Sequence, residues 1–189
     1  EREQVRQISL RGSGTWGEVY FALLAAAAMQ QGVRIVGDKT PKHIRYIPLI
    51  SDWLPRMKFI HIVRDPRAVV SSFLATDVGP NDLAPAIDHW MKAAQCHIQH
   101  AERLGPSRYL VVKYEELVAN SVPVLQDVCR FLGLEFDEDM MTFHERAPVD
   151  LGIPDNKLKH MENVFRPVFK SSTEKWQITL TRNQIALVE

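Results

Sequence analysis

The sequence predicts an α/β fold in which a parallel sheet is flanked by helices. Three observations predict it. Short runs of β-branched residues alternate with longer helical patterns along the chain, the order that builds parallel sheets. The clearest run, Lys58 to Val63, is apolar on both faces except at His61, as in a strand covered by helices. Two polar motifs, Asp38-Lys39-Thr40-Pro41 and Arg64-Asp65-Pro66-Arg67, each follow a strand directly. In sheets of this kind ligands bind at the carboxyl ends of the strands.

Each element has a local reason. Thr15 and Glu18 form a capping-box pattern, so a helix is expected from there to about Gln31, stopped by Gly32. Arg34 to Gly37 reads as a short strand and Asp38 to Lys42 as the loop after it. A helix is expected from about Ile44 to Trp53, ended by Pro55. After the Lys58–Val63 strand, Asp65 is placed to cap a helix with Pro66 at its first position, running to about Thr76. A long helix follows the Gly79–Asp82 loop, from Pro85 to about Leu104, and Arg108 to Lys113 reads as a third strand. Ser121 is placed to cap a helix ending near Gly133, and Asp137 begins another. Residues 148 to 170 read as irregular, with three prolines, and two short helices near 172–177 and 181–189 close the chain.

The 189 residues suit one domain, 1–189, with 46% hydrophobic and 24% charged residues. Lys plus Arg and Asp plus Glu both number 23, so no strongly basic field exists for nonspecific nucleic-acid binding. An anionic ligand must then be held by a few well-placed groups. Cys96 and Cys129 are far apart, and no Cys or His spacing suggests a metal site or a disulfide framework. Two free thiols fit a cytoplasmic setting. The longest apolar run, Tyr20 to Met29, is too short to span a bilayer, and the sequence shows no signal peptide at its N-terminus. The chain opens on Glu1 rather than Met.

The residues that carry chemistry cluster at the strand ends. Arg64 ends a strand and the next helix opens beside it, so a guanidinium fork and free helix N–H groups share one place. Ala68 and Ser72 lie at helical spacing on a face that starts near Arg64, where a Ser hydroxyl can add another bond to the same anion. The residues alone also fit an Arg paired with a carboxylate and a packed Ser. Lys39 is placed to stabilise negative charge developing on a leaving group. By itself it equally fits a solvated loop Lys.

The motifs Gly37-Asp38-Lys39-Thr40-Pro41 and Phe59 to Phe73 resemble those of sulfotransferases that use 3′-phosphoadenosine 5′-phosphosulfate (PAPS). So do Val112-Lys113-Tyr114-Glu115-Glu116-Leu117-Val118, Phe131-Leu132-Gly133-Leu134, Pro167-Val168 and Lys175-Trp176. The bacterial and tyrosylprotein-type branch is the most similar, from about residue 15 onward. The resemblance implies a three-layer fold like that of P-loop NTPases, with the first strand and the phosphosulfate loop missing from this chain. It implies that Arg64 and Ser72 hold the 3′-phosphate and that Lys39 stabilises the leaving bridging oxygen. Tyr114 matches a nucleotide contact and Lys175 a Lys near the 3′-phosphate, with Lys170 a weaker candidate. The product is then adenosine 3′,5′-bisphosphate. The acceptor is a carbohydrate hydroxyl, a peptide tyrosine or a small metabolite, and no metal is needed.

The match has gaps. Arg11-Gly12-Ser13-Gly14-Thr15 has the look of the phosphosulfate loop but lies too close ahead of Lys39, and a turn before a capped helix explains it more simply. Small-molecule sulfotransferases carry a catalytic His two residues after the Lys, where this chain has Pro41; His43 is near but not at that position. Tyrosylprotein-type enzymes use an upstream Glu. Of Glu1, Glu3 and Glu18, the last is a capping residue, so no base is assigned. Two rivals stand beside this reading. One is another P-loop nucleotide-dependent transferase, which needs a Gly-rich loop ending in Lys-Ser or Lys-Thr. The other is a non-catalytic or degenerate module that binds anions or nucleotides.

Overall fold

The computed structural model describes residues 15–76, 79–145 and 165–189. The expected turn at 11–14, Glu1 and Glu3, and the irregular stretch up to 164 lie outside the described residues. The chain divides into two compact units, Glu1–Met57 with Cys96–Arg108, and Lys58–Gln95 with Tyr109–Glu189.

The first unit opens with α1 (Trp16–Gln31), where the capping box is fully formed. Glu18 N–H donates to Thr15 Oγ1 (3.3 Å) and Thr15 N–H to the Glu18 carboxylate (3.0 Å). Gly32 ends the helix at φ 64°, a left-handed conformation that glycine adopts without strain. Gly17, Ala22 and Ala26 are buried, and small residues there allow close packing: a Cβ on Gly17 would sit 2.6 Å from Trp53 Cγ. A 3₁₀ turn (Pro41–Arg45) leads into α2 (Ile47–Trp53), which buries Ile47 and Ile50. Within the same unit, buried His100 holds the Ile44 carbonyl at 2.6 Å through Nε2.

Arg34–Gly37 is not a strand in the structure. A strand exists only through a hydrogen-bonded neighbour, and among the described residues the sheet has two members, β1 (Phe59–Val63) and β2 (Tyr109–Lys113). Four β-branched or flexible residues cannot signal from their own composition whether a partner exists.

The second unit is built on that parallel pair, with register Phe59↔Tyr109 through Val63↔Lys113. Parallel strands need a long crossover. Here it runs through α3 (Pro66–Leu74) and α4 (Leu83–Leu104), whose last turns belong to the first unit. After β2 come α5 (Tyr114–Ala119), α6 (Ser121–Leu132) and a 3₁₀ stretch (Glu138–Glu145). The chain closes with α7 (Ser171–Glu174), α8 (Trp176–Thr179) and α9 (Arg182–Val188).

Two expectations are corrected here. β1 alternates in exposure, with Ile60 and Ile62 open to solvent, rather than being covered on both faces. An apolar run reads the same in sequence whether one face is covered or two. Ser121 does not cap α6 but donates back to the Leu117 carbonyl at 2.8 Å, a common alternative for a Ser at a helix junction. His61 is satisfied across the strands, where Tyr109 OH lies 2.9 Å from its Nδ1.

Candidate functional site

The site follows from the strand register. Val63 pairs with Lys113, so the next residues, Arg64 and Tyr114, leave the sheet side by side at its carboxyl edge. The Arg64 guanidinium lies over the Tyr114 ring, 4.7 Å from its centroid. A cation over an aromatic face gains about 0.5–2 kcal/mol and stiffens both side chains. Trp90 N–H holds the Arg64 carbonyl at 3.1 Å.

Asp65 then starts α3. Its carboxylate accepts from Arg67 N–H (2.8 Å) and from the Arg67 guanidinium at Nε (3.0 Å) and Nη2 (2.7 Å). The side-chain bonds from Arg67 hold the Asp65 carboxyl below its usual range, and burial opposes them in part. Pro66 occupies the first helical position, as the sequence predicts.

Arg64, Ala68 and Ser72 line one open cleft of roughly 1300 Å³. Ala68 and Ser72 lie one turn apart on α3, which opens just after Arg64. Tyr114 lines the same cleft, and so does Lys175 from the turn between α7 and α8. All four residues singled out for holding the nucleotide therefore meet in one cavity of the second unit. Lys39 lies in the first unit, exposed in the segment before the 3₁₀ turn. Its neighbour Asp38 accepts from Tyr20 OH (3.0 Å) and Thr40 Oγ1 (2.8 Å). His43 Nδ1 stands 3.6 Å from the same carboxylate, and the ring meets Tyr20 edge-on. Lys170 caps α7 through its backbone and does not line the cleft.

The electrostatics of the cleft favour an anion. Arg64 Nη2 donates to the Ser172 carbonyl, and Tyr114 OH pairs with Ser172 Oγ at 2.8 Å. Arg64 Nε is buried and, among the described residues, has no partner. An unpaired buried N–H on a permanent cation costs free energy, and an acceptor with negative charge would relieve it. Arg166 and Lys175 add two further cations to the lining.

The match to known proteins decides the family. The family model described as "Sulfotransferase family" fits residues 15–138. The chain belongs to the sulfotransferase family. It is 24% identical to protein-tyrosine sulfotransferase A of Caenorhabditis elegans over 189 residues, 94% of this chain and 49% of the relative. It is 26% identical to carbohydrate sulfotransferase 5 of Mus musculus over 163 residues, 75% of this chain and 41% of that protein. The chain thus spans about half the length of the curated relatives it matches. The sulfotransferase domain of the Synechococcus PCC 7002 olefin synthase superposes with TM-score 0.67 at 23% identity, covering 98% of this chain and 73% of that one. The sulfotransferase domain from the curacin biosynthetic pathway gives 0.62 at 18%, covering 98% and 76%. These likenesses show the α/β fold of a sulfotransferase domain.

Sequence reasoning missed Ser172 and Arg166 as cleft residues. Ser172 contributes mainly through its backbone carbonyl and a hydroxyl bond to Tyr114, which no side-chain pattern announces. Arg166 sits beside the Pro167-Val168 motif, and that adjacency was a usable signal. Among the described residues, no group of three His, Cys, Asp or Glu side chains is arranged to hold a metal. No described helix is long and apolar enough to cross a membrane.

Proposed function

We propose that the protein transfers the sulfuryl group of PAPS to a hydroxyl or amine of an acceptor, releasing adenosine 3′,5′-bisphosphate. The observation that carries the reading is the buried Arg64 Nε, without a partner among the described residues, in a cleft shared with Ser72, Tyr114 and Lys175. These groups suit a doubly charged phosphate monoester: Arg64 offers a directional N–H, Ser72 a hydroxyl, and Lys175 a mobile ammonium. Tyr114 braces Arg64 from beneath. PAPS would supply an activated sulfuryl group on a phosphate leaving group. Lys39, assigned from its place in the Gly37–Pro41 motif, neutralises charge on the departing oxygen. As in phosphoryl transfer, positioning and charge neutralisation carry the rate, and no covalent enzyme intermediate is required.

The relatives' names point to protein tyrosine and carbohydrate acceptors, and we propose an acceptor of one of these two kinds. A cytoplasmic location belongs to the same proposal and is checked by cell fractionation. The function is tested in two steps. Adenosine 3′,5′-bisphosphate is expected to displace a fluorescent nucleotide at concentrations at least tenfold below ATP. Sulfur-labelled PAPS is expected to pass its label to a tyrosine peptide or an oligosaccharide in an acceptor panel. Tighter binding of ATP would favour another nucleotide-dependent transferase. Tight binding of the bisphosphate with no transfer to any acceptor would favour a binding module.

A further inference from the structure

Lys175 enters the cleft from a weak piece of structure. The helices on either side of it, α7 and α8, have four residues each. Single turns of helix are not stable in isolation, because nucleation costs more than one or two hydrogen bonds return. Their position must be imposed by packing, and α3 imposes it. Arg67 lies over the Trp176 ring at 3.9 Å from the centroid. Its Nη1 bonds Glu189, beyond the end of α9, at 2.7 Å, while Nε and Nη2 are held by Asp65. One turn on, Ser71 Oγ and Thr179 Oγ1 share a hydrogen bond of 2.6 Å. Arg67 and Ser71 thus grip α8 and α9 from one stripe of α3, while Ala68 and Ser72 on the adjacent stripe line the cleft, which Ser71 also borders.

We propose that Arg67 is a positioning residue. Clasped by Asp65 and Glu189 and stacked on Trp176, it fixes the segment from Ser171 to Glu189, so that Ser172 and Lys175 stand in the cleft with Arg64. The consequence for binding rests on the nucleotide reading above; the clasp itself does not. A lysine cannot replace it, since it lacks the planar fork and stacks less well.

The test combines amide hydrogen exchange with calorimetry on Arg67→Ala, Arg67→Lys and Glu189→Gln. In Arg67→Ala, exchange across 176–188 is expected to rise at least tenfold while β1 and β2 keep their protection. The preference for adenosine 3′,5′-bisphosphate over AMP is expected to fall at least tenfold. Lys175→Ala is expected to weaken bisphosphate binding in the parent, yet to add less than a twofold loss in the Arg67→Ala background. Such non-additivity, with Lys175 losing its effect once Arg67 is gone, is the signature of one residue acting through the other. Unchanged exchange in Arg67→Ala overturns the clasp, whatever the nucleotides do. Fully additive losses, or equal weakening of both nucleotides, overturn the positioning role. Raised exchange in Arg67→Ala, together with a parent protein that binds AMP as tightly as the bisphosphate, overturns the nucleotide reading and Arg67's part in it, with the clasp intact. Arg67→Lys matching the parent in both readouts overturns the argument from the planar fork. If Arg67→Ala does not fold, Glu189→Gln carries the test: exchange at 182–188 at least doubled supports the clasp, and no change overturns it.

Discussion

Replacing Arg64 by Ala is expected to remove the discrimination between nucleotides that differ only in a 3′-phosphate. Nη2 is committed to the Ser172 carbonyl, which leaves the buried Nε and the other N–H groups for the ligand. Two charge-assisted hydrogen bonds at about 1.5 kcal/mol each come to about 3 kcal/mol, or on the order of 100-fold in affinity. AMP offers no charge at that point, so its affinity is expected to change less than threefold. The assay is titration calorimetry with adenosine 3′,5′-bisphosphate and AMP on both proteins. The substitution also removes the stack on Tyr114, so each protein must first be shown folded by its urea transition. Equal weakening of the two nucleotides, or less than threefold loss for the bisphosphate, would refute the assignment of Arg64 to the phosphate.

Three further outcomes follow from particular residues. Lys39→Ala is expected to lower turnover roughly 100-fold or more while bisphosphate affinity stays within threefold, read by comparing kcat with calorimetric Kd; equal losses in both would deny it a transition-state role. Gly17→Ala is expected to destabilise the protein by about 1–2 kcal/mol in urea unfolding. The added methyl would stand 2.6 Å from Trp53 Cγ, and overpacking of about 2–3 kcal/mol outweighs the roughly 1 kcal/mol gain in helix propensity. Tyr20 is expected to ionise late: burial, then the hydrogen bond to Asp38, push its phenol up to about 12, visible by ultraviolet titration. A raised pKa in the folded state means its contribution is present below about pH 10 and is lost as pH rises toward 12, so Tyr20→Phe should flatten stability over that window.

Local chemistry made much of this molecule readable in advance. The Thr15–Glu18 box, the Gly32 stop and the Asp65-Pro66 helix start are short-range devices, and each appears where its residues place it. Arg64, Ser72, Tyr114 and Lys175 line one cleft; helix period placed Ser72 near Arg64 in advance, and the family resemblance alone pointed to Tyr114 and Lys175. What stayed hidden depends on partners distant in the chain. Arg34–Gly37 has strand-like residues but, among the described residues, no strand pairs with it. Ser121 had two acceptable uses for its hydroxyl and took the one that joins two helices. The Arg67 contacts with Trp176 and Glu189 span most of the second unit's sequence, and no local pattern encodes them. Thr181 caps α9 with Gln184 by a box of the same type as the first, a signal present in the sequence and overlooked.

The nine residues of α3 turn two neighbouring stripes to two different tasks, set apart by about 100° of helical rotation. Adding or deleting one residue within that helix would therefore swing both stripes away from their targets together. A substitution in α3 disturbs chiefly the face that carries it, whereas a change in its length disturbs both.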